Sequence, residues 1–242
     1  MKSKNLFKSF KASKVKTLTG SLFHAVNLKP NAEIYKLLSK GQEIGSLSRV
    51  ELYQNSLTIA AMLQKHGVKG ERILLLIPSS LDFLTAFMGC LYAGAIAVPA
   101  YTASNQRNIA RIKMIIDDCK PKIILSLSNI DLEHIIFSSE TNVKNTFKVI
   151  NLDQIDSNTD TKYQEIETNE NDVAFLQYTS GSTSKPKGVM ISHKNLYRNL
   201  SLIAKCYNLN HKSIIVSWLP IHHDLGLVSV LLQSIYCGGK AI

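Results

Sequence analysis

Between residues 73 and 150 the chain alternates short apolar runs with stretches of helical periodicity, and this alternation narrows the possible folds more than any other feature. Residues 73–77 form a continuous apolar run, as in a strand buried on both faces. Residues 80–92 and 105–119 read as helices. The second turns Ile109, Ile112, Ile115 and Ile116 inward and Arg107, Arg111 and Lys113 outward. Residues 96–98, 122–127 and 147–150 read as strands, and 131–138 as a helix. Strands separated by helices predict an α/β fold, with mainly parallel sheets flanked by helices.

Outside that core the pattern weakens. Residues 1–20 carry Lys2, Lys4, Lys8, Lys11, Lys14 and Lys16 and have no clear periodicity, so they read as a basic tail. Residues 21–38 offer short apolar segments. Residues 47–66 predict a helix capped by Ser48, with Glu51 completing a capping box and Gly67 ending it. Its apolar face is expected to include Val50, Leu57, Ala60, Ala61 and Leu63. A first α/β subdomain is expected over 21–150. Residues 151–171, rich in Asp, Asn, Thr and Gln, read as a connecting loop. A second α/β subdomain is expected to start within 172–242, with a helix at 194–206, a strand at 214–218 and an apolar helix through Tyr236. Gly238 and Gly239 would turn the chain into a strand beginning at Ala241, so the sequence is expected to stop inside a domain.

The net charge of +10, with 45% hydrophobic and 19% charged residues, suits a globular chain whose basicity is partly that of one tail. Such a tail attracts acidic partners or is simply a solvated terminus, and the second is expected. With no RNA-binding motif, zinc knuckle or DNA-reading helix, nucleic acid is not an expected partner. Cys90, Cys119, Cys206 and Cys237 are widely spaced and lack a C-x-x-C pair. They read as buried free thiols of a cytoplasmic protein. Residues 83–101 carry no charge and are nominally long enough to span a bilayer. Gly89, Gly94 and Pro99 break that run into a helix and a strand, so no transmembrane segment is expected.

Two stretches carry chemistry. The first is Thr179-Ser180-Gly181-Ser182-Thr183-Ser184-Lys185-Pro186-Lys187-Gly188, set between apolar runs at 173–178 and 189–191. Hydroxyls, glycines and lysines at this density suit a polyphosphate: glycine lets backbone N–H groups turn toward an anion, hydroxyls donate, and lysine supplies charge. A solvated Ser/Gly linker is the plainer alternative. The stretch fits neither a Walker A loop nor a nucleophile elbow. The second is His222-His223-Asp224, between a predicted strand and a helix. A structural turn and a metal site are both readings of it. Adjacent histidines rarely point at one ion and no further ligand has suitable spacing, so no metal ligands are expected.

YTSGSTSKPKGVMISHKNL resembles the phosphate-binding signature of the adenylate-forming enzymes, the family of acyl-CoA synthetases, acyl-AMP ligases and peptide-synthetase adenylation domains. Ser184 stands where that pattern, TSG-[ST]-T-G-x-PKG, usually has glycine. SWLPIHHDLGLV resembles the WLP-x-x-HDMGL segment of the fatty acyl-AMP ligases, with Leu225 in place of methionine. DFLTAFMGCLYAGAIAVPAYTASNQRNIARIKMIIDD is similar to the same ligases, so the resemblance runs from about Gly20 to the end. It implies the N-terminal portion of the family's large domain. The implied reaction turns ATP and a fatty acid into acyl-AMP and pyrophosphate, with Mg²⁺ shielding the phosphates. The acyl group would pass to an acyl carrier protein, or alternatively to coenzyme A.

On that resemblance Thr179, Ser180, Gly181, Ser182, Thr183, Ser184, Lys185, Lys187 and Gly188 surround the phosphates. Lys187 and His223 act in catalysis, and His223 and Asp224 line the junction of the acyl and nucleotide pockets. The family's adenine-contacting segment, ribose-binding aspartate, hinge and C-terminal lysine are not in these residues. The chain alone is therefore expected not to adenylate fatty acids efficiently. A nucleotide-binding module without turnover and a decayed fragment remain open alternatives.

Overall fold

The structure, a computed structural model, describes residues 16–101, 106–132, 147–155, 162–179 and 186–242. In chain order the elements are α1 (Leu18–Leu28), β1 (Glu33–Ser39), β2 (Gln42–Ser48), α2 (Arg49–Gln64), β3 (Arg72–Leu75), α3 (Leu81–Tyr92), β4 (Ile96–Pro99), α4 (Gln106–Cys119), β5 (Ile123–Ser126) and β6 (Lys148–Asn151). A 3₁₀ turn at Leu152–Gln154 follows. Then come β7 (Val173–Thr179), β8 (Lys187–Ser192), α5 (His193–Cys206), β9 (Ile214–Ile215), α6 (Asp224–Gly226), a π-helical stretch (Leu227–Leu232), α7 (Gln233–Cys237) and β10 (Lys240–Ala241).

These elements form two compact units that interleave along the chain. One comprises residues 1–55, 164–172 and 192–242, the other residues 56–163 and 173–191. The sequence reading drew a single divide at 151–171, whereas β7 and β8 complete the sheet begun by β3. That sheet has six strands in the order β6-β5-β3-β4-β7-β8. The pairs β3–β4, β3–β5, β5–β6 and β4–β7 are all parallel, as the strand–helix alternation predicts. Ile73, Leu74, Leu75, Val98, Ile123, Ile124 and Leu125 are buried, each worth roughly 1.5–3 kcal/mol in transferred apolar surface.

Helix α3 starts at Ser80, whose hydroxyl accepts from the N–H of Phe83, and is buried from Phe83 to Tyr92. Gly89 lets it approach α2 closely, since a Cβ there would lie 2.6 Å from Ile59 Cγ2. Gly94, at φ +68°, turns the chain into β4. Helix α4 buries Ile109, Ile112, Ile115, Ile116 and Cys119. Arg72 fixes its C-terminal end by donating to the carbonyls of Cys119 (2.7 Å) and Lys120 (3.3 Å). The uncharged run at 83–101 is thus a helix and a strand. Among the described residues no helix is long and apolar enough to cross a membrane.

The other unit holds a four-stranded sheet in the order β2-β1-β10-β9. β1 and β2 form an antiparallel hairpin whose two-residue turn, Lys40-Gly41, has φ of 51° and 79°. β10, the strand expected at Ala241, sits between β1 and β9 and runs parallel to both. Arg49 ties the unit together, donating to the carbonyl of Ala25 at 3.2 Å and to that of Gly238.

Several expectations change. The tail does not extend to residue 20: Thr17 caps α1, accepting from Gly20 N–H, and Leu18 and Thr19 are buried. α1 and the β1–β2 hairpin occupy a region where only short apolar segments were read. The capping box of α2 forms as read, with Ser48 N–H donating to Glu51 at 2.8 Å and Glu51 N–H to Ser48 Oγ at 3.3 Å. The strand expected at 214–218 ends at Ile215, because Val216 and Trp218 face solvent. All four cysteines are free, but Cys206 is exposed and Cys237 only half-buried. Of the helix expected at 131–138, residues 133–138 lie outside the described residues.

Candidate functional site

The phosphate-type stretch is carried by two strands of the six-stranded sheet. β7 ends at Thr179, and β8 begins at Lys187. Thr179 and Lys187 are exposed and Gly188 is half-buried. Ser180, Gly181, Ser182, Thr183, Ser184 and Lys185 lie outside the described residues.

One side chain the sequence reading did not single out anchors this place. Tyr178, the last residue before Thr179, is buried among Leu74, Leu76, Val98, Ile112, Ile115 and Ile124. Its hydroxyl donates to Asp118 Oδ2 of α4. Burial first, and this bond second, push the phenol well above its ordinary pKa, so it stays a donor. Arg111, also on α4, makes a long hydrogen bond of 3.5 Å to the Tyr178 carbonyl. Its guanidinium also lies 5.5 Å from the centre of the Tyr101 ring. Arg111 and Asp118 are seven residues apart, two turns, which places them on one helix face. Arg111 was read as facing outward and is in fact half-buried. Gly188 lies against the Tyr178 ring, where a Cβ would come within 2.9 Å of Cζ.

Beyond β8, Ser192 and Asn195 form a capping box that opens α5. His193 is buried, its N–H donates to the Asp172 carbonyl at 3.0 Å, and its Nδ1 has no hydrogen-bond partner among the described residues. Burial pulls its imidazole down to about 4.

His223 and Asp224 belong to the other compact unit. They sit in a tight turn: His223 N–H donates to the Pro220 carbonyl at 3.1 Å, and the His223 carbonyl accepts from Leu227 at 2.8 Å. Gly226 packs on Pro220, where a Cβ would lie 2.3 Å from the carbonyl oxygen. His223 Nδ1 and Asp224 Oδ1 are 2.5 Å apart, and both side chains are more than half exposed. The pair therefore presents an oriented imidazole and a carboxylate to its surroundings. His222 is half-buried, and burial first and His223 second lower its pKa. Among the described residues, no group of three or more His, Cys, Asp or Glu could hold a metal ion by itself.

Thr179 and Lys187 thus lie at the end of β7 and the start of β8, two strands of one six-stranded sheet. The chain belongs to the AMP-binding enzyme family, whose model matches residues 22–242. It is 37% identical over 229 residues to the medium-chain-fatty-acid–[acyl-carrier-protein] ligase JamA of Moorena producens, a match covering 92% of this chain and 38% of JamA. It is likewise 37% identical over 177 residues to the long-chain-fatty-acid–AMP ligase FadD32 of Mycobacterium marinum, covering 73% of this chain and 28% of that protein. Among solved structures, the fatty acyl-adenylate ligase from L. pneumophila in complex with acyl adenylate and pyrophosphate superposes with a TM-score of 0.83 at 38% identity. It covers 96% of this chain, which spans 40% of that one.

Proposed function

We propose that the protein activates a fatty acid with ATP, giving acyl-AMP and pyrophosphate, and passes the acyl group to an acyl carrier protein. A carboxylate oxygen attacks the α-phosphorus and forms the mixed anhydride. The bond from that phosphorus to the α,β-bridging oxygen breaks, and pyrophosphate leaves with the electron pair. The chemistry asks for positioning and charge stabilisation rather than a protein nucleophile. The observation carrying this reading is the mount itself: Thr179 and Lys187 bracket the hydroxyl-rich stretch at the ends of β7 and β8. The names of the similar ligases support the choice of fatty acid and carrier protein.

In this reading the stretch 179–188 cradles the β- and γ-phosphates. Lys187 supplies charge to the departing pyrophosphate, and His223, oriented by Asp224, offsets charge at the reacting carboxylate. Mg²⁺, if bound with the triphosphate, would shield phosphate charge alongside Lys187. The step belongs to a soluble enzyme of the cytoplasm. Coenzyme A is the alternative acceptor.

The test is fatty-acid-dependent ATP–pyrophosphate exchange by the full-length protein. Lys187→Ala is expected to lower exchange by about a hundredfold, the cost of removing one preorganised charge contact. His223→Ala is expected to lower it less. Unchanged ATP dependence in Lys187→Ala, or preserved acyl-AMP formation in His223→Ala, removes the corresponding role.

A further inference from the structure

Both stems of the phosphate-type stretch meet at one side chain. Tyr178 is the penultimate residue of β7, and Gly188, at the start of β8, lies on its ring, with room for hydrogen but not for a methyl group. α4 grips the same tyrosine at two points two turns apart, the carbonyl through Arg111 and the phenol through Asp118. α4 is itself immobilised. Its inner face is part of the core, and Arg72 of β3 holds its last carbonyls. Tyr101, which follows β4, carries the Arg111 guanidinium on its ring. The contacts therefore run from β3 and β4 through α4 to Tyr178, and from Tyr178 to both sides of the stretch. Packing alone would need only the ring. A buried phenol donating to a carboxylate also fixes the ring along its axis, and so fixes where β7 stops and where β8 resumes.

We infer that Tyr178, held by Arg111 and Asp118, is the positioning residue that sets the spacing between Thr179 and Lys187 and so tunes the grip on the ATP phosphates. The inference rests on the reading that this stretch binds ATP. Tyr178 touches no substrate; it acts through the residues on either side of it.

The test uses the full-length protein with Tyr178→Phe, Asp118→Ala and Asp118→Asn, measuring KM for ATP, KM for fatty acid and the melting temperature. Phenylalanine keeps the ring against Gly188 and removes only the bond to Asp118. Asparagine keeps an acceptor of the same shape. Tyr178→Phe and Asp118→Ala are each expected to raise KM for ATP by about tenfold, the loss of one hydrogen bond to a charged group. KM for fatty acid should stay within about twofold, and Asp118→Asn should restore most of the ATP affinity. A lowered melting temperature with unchanged KM for ATP makes the contact structural only and overturns the inference. If Tyr178→Phe fails to fold, the two Asp118 variants decide the question by the same criterion. Wild-type protein that does not use ATP at all overturns the functional reading together with this one, whereas active wild type with unaffected variants overturns this one alone.

Discussion

The Thr179–Lys187 mount and the His223–Asp224 turn are built in opposite ways. The first sits at the ends of β7 and β8, where Tyr178, one residue before Thr179, is buried and held by a carboxylate and a guanidinium from one helix. The second sits beside two-residue strands, with Ile214, Val216, Trp218 and Leu225 all more than half exposed. Its order comes from local contacts instead: Gly226 against the Pro220 carbonyl, and His223 against Asp224. If the stretch binds a polyphosphate, as proposed, its receptor gains from rigidity fixed in advance. A turn that must orient one imidazole needs only short-range geometry, and its surroundings stay open to further packing.

Substitutions in the two regions test the difference between them. The largest effect is expected from Gly226→Ala. Its Cβ would meet backbone, which cannot rotate away, so about 3 kcal/mol of local stability is at stake, the upper range for an overpacked site. Thermal unfolding would measure it, and a melting temperature equal to wild type would mean the turn is looser than described.

Next comes acid sensitivity at His193. Burial holds its imidazole at about 4, below the ordinary 6.5. As pH falls, the unfolded chain takes up that proton first. The contribution is therefore present above about pH 6.5 and is lost toward pH 4, with a limiting slope of about 1.4 kcal/mol per pH unit and about 2 kcal/mol gone at pH 5. Denaturant midpoints at pH 7 and pH 5 should fall less in His193→Gln than in wild type. Parallel falls would assign the acid sensitivity to other groups.

The smallest effect is expected at Trp218, which is 92% exposed. Trp218→Ser should change stability by no more than about 0.5 kcal/mol while reducing apolar-dye binding. A clear loss of stability would show the open region to be packed.

The same division governs what could be read from the sequence. The six-stranded sheet was legible because strands buried on both faces write continuous apolar runs, and helices such as α4 write a 3.6-residue period between them. Ser48 and Glu51 announced α2 through their spacing. The β1–β2 hairpin was not legible: β2 is mostly exposed, and its turn is Lys-Gly, not one of the Asn-Gly or Asp-Gly pairs that signal positive φ. α1 was hidden because its cap, Thr17, lies in a lysine-rich stretch. The placing of β10 between β1 and β9 depends on pairing across roughly two hundred residues, which local patterns do not encode.

At the site, the residue types around the stretch suggested an anion, and the family resemblance named Lys187, His223 and Asp224. The grip on Tyr178 was invisible, because a tyrosine ending an apolar run looks like core. Asp118 and Arg111 look like a solvated helix face, and nothing local to α4 tells that both reach Tyr178.

In the proposed reaction ATP is cleaved between its α- and β-phosphates by a fatty acid. Acid-quenching a reaction of full-length protein, ATP and fatty acid and weighing the products tests this directly. The expected product is a species with the mass of fatty acid plus AMP less one water, formed together with pyrophosphate and absent without either substrate. ADP and inorganic phosphate in place of acyl-AMP would contradict it.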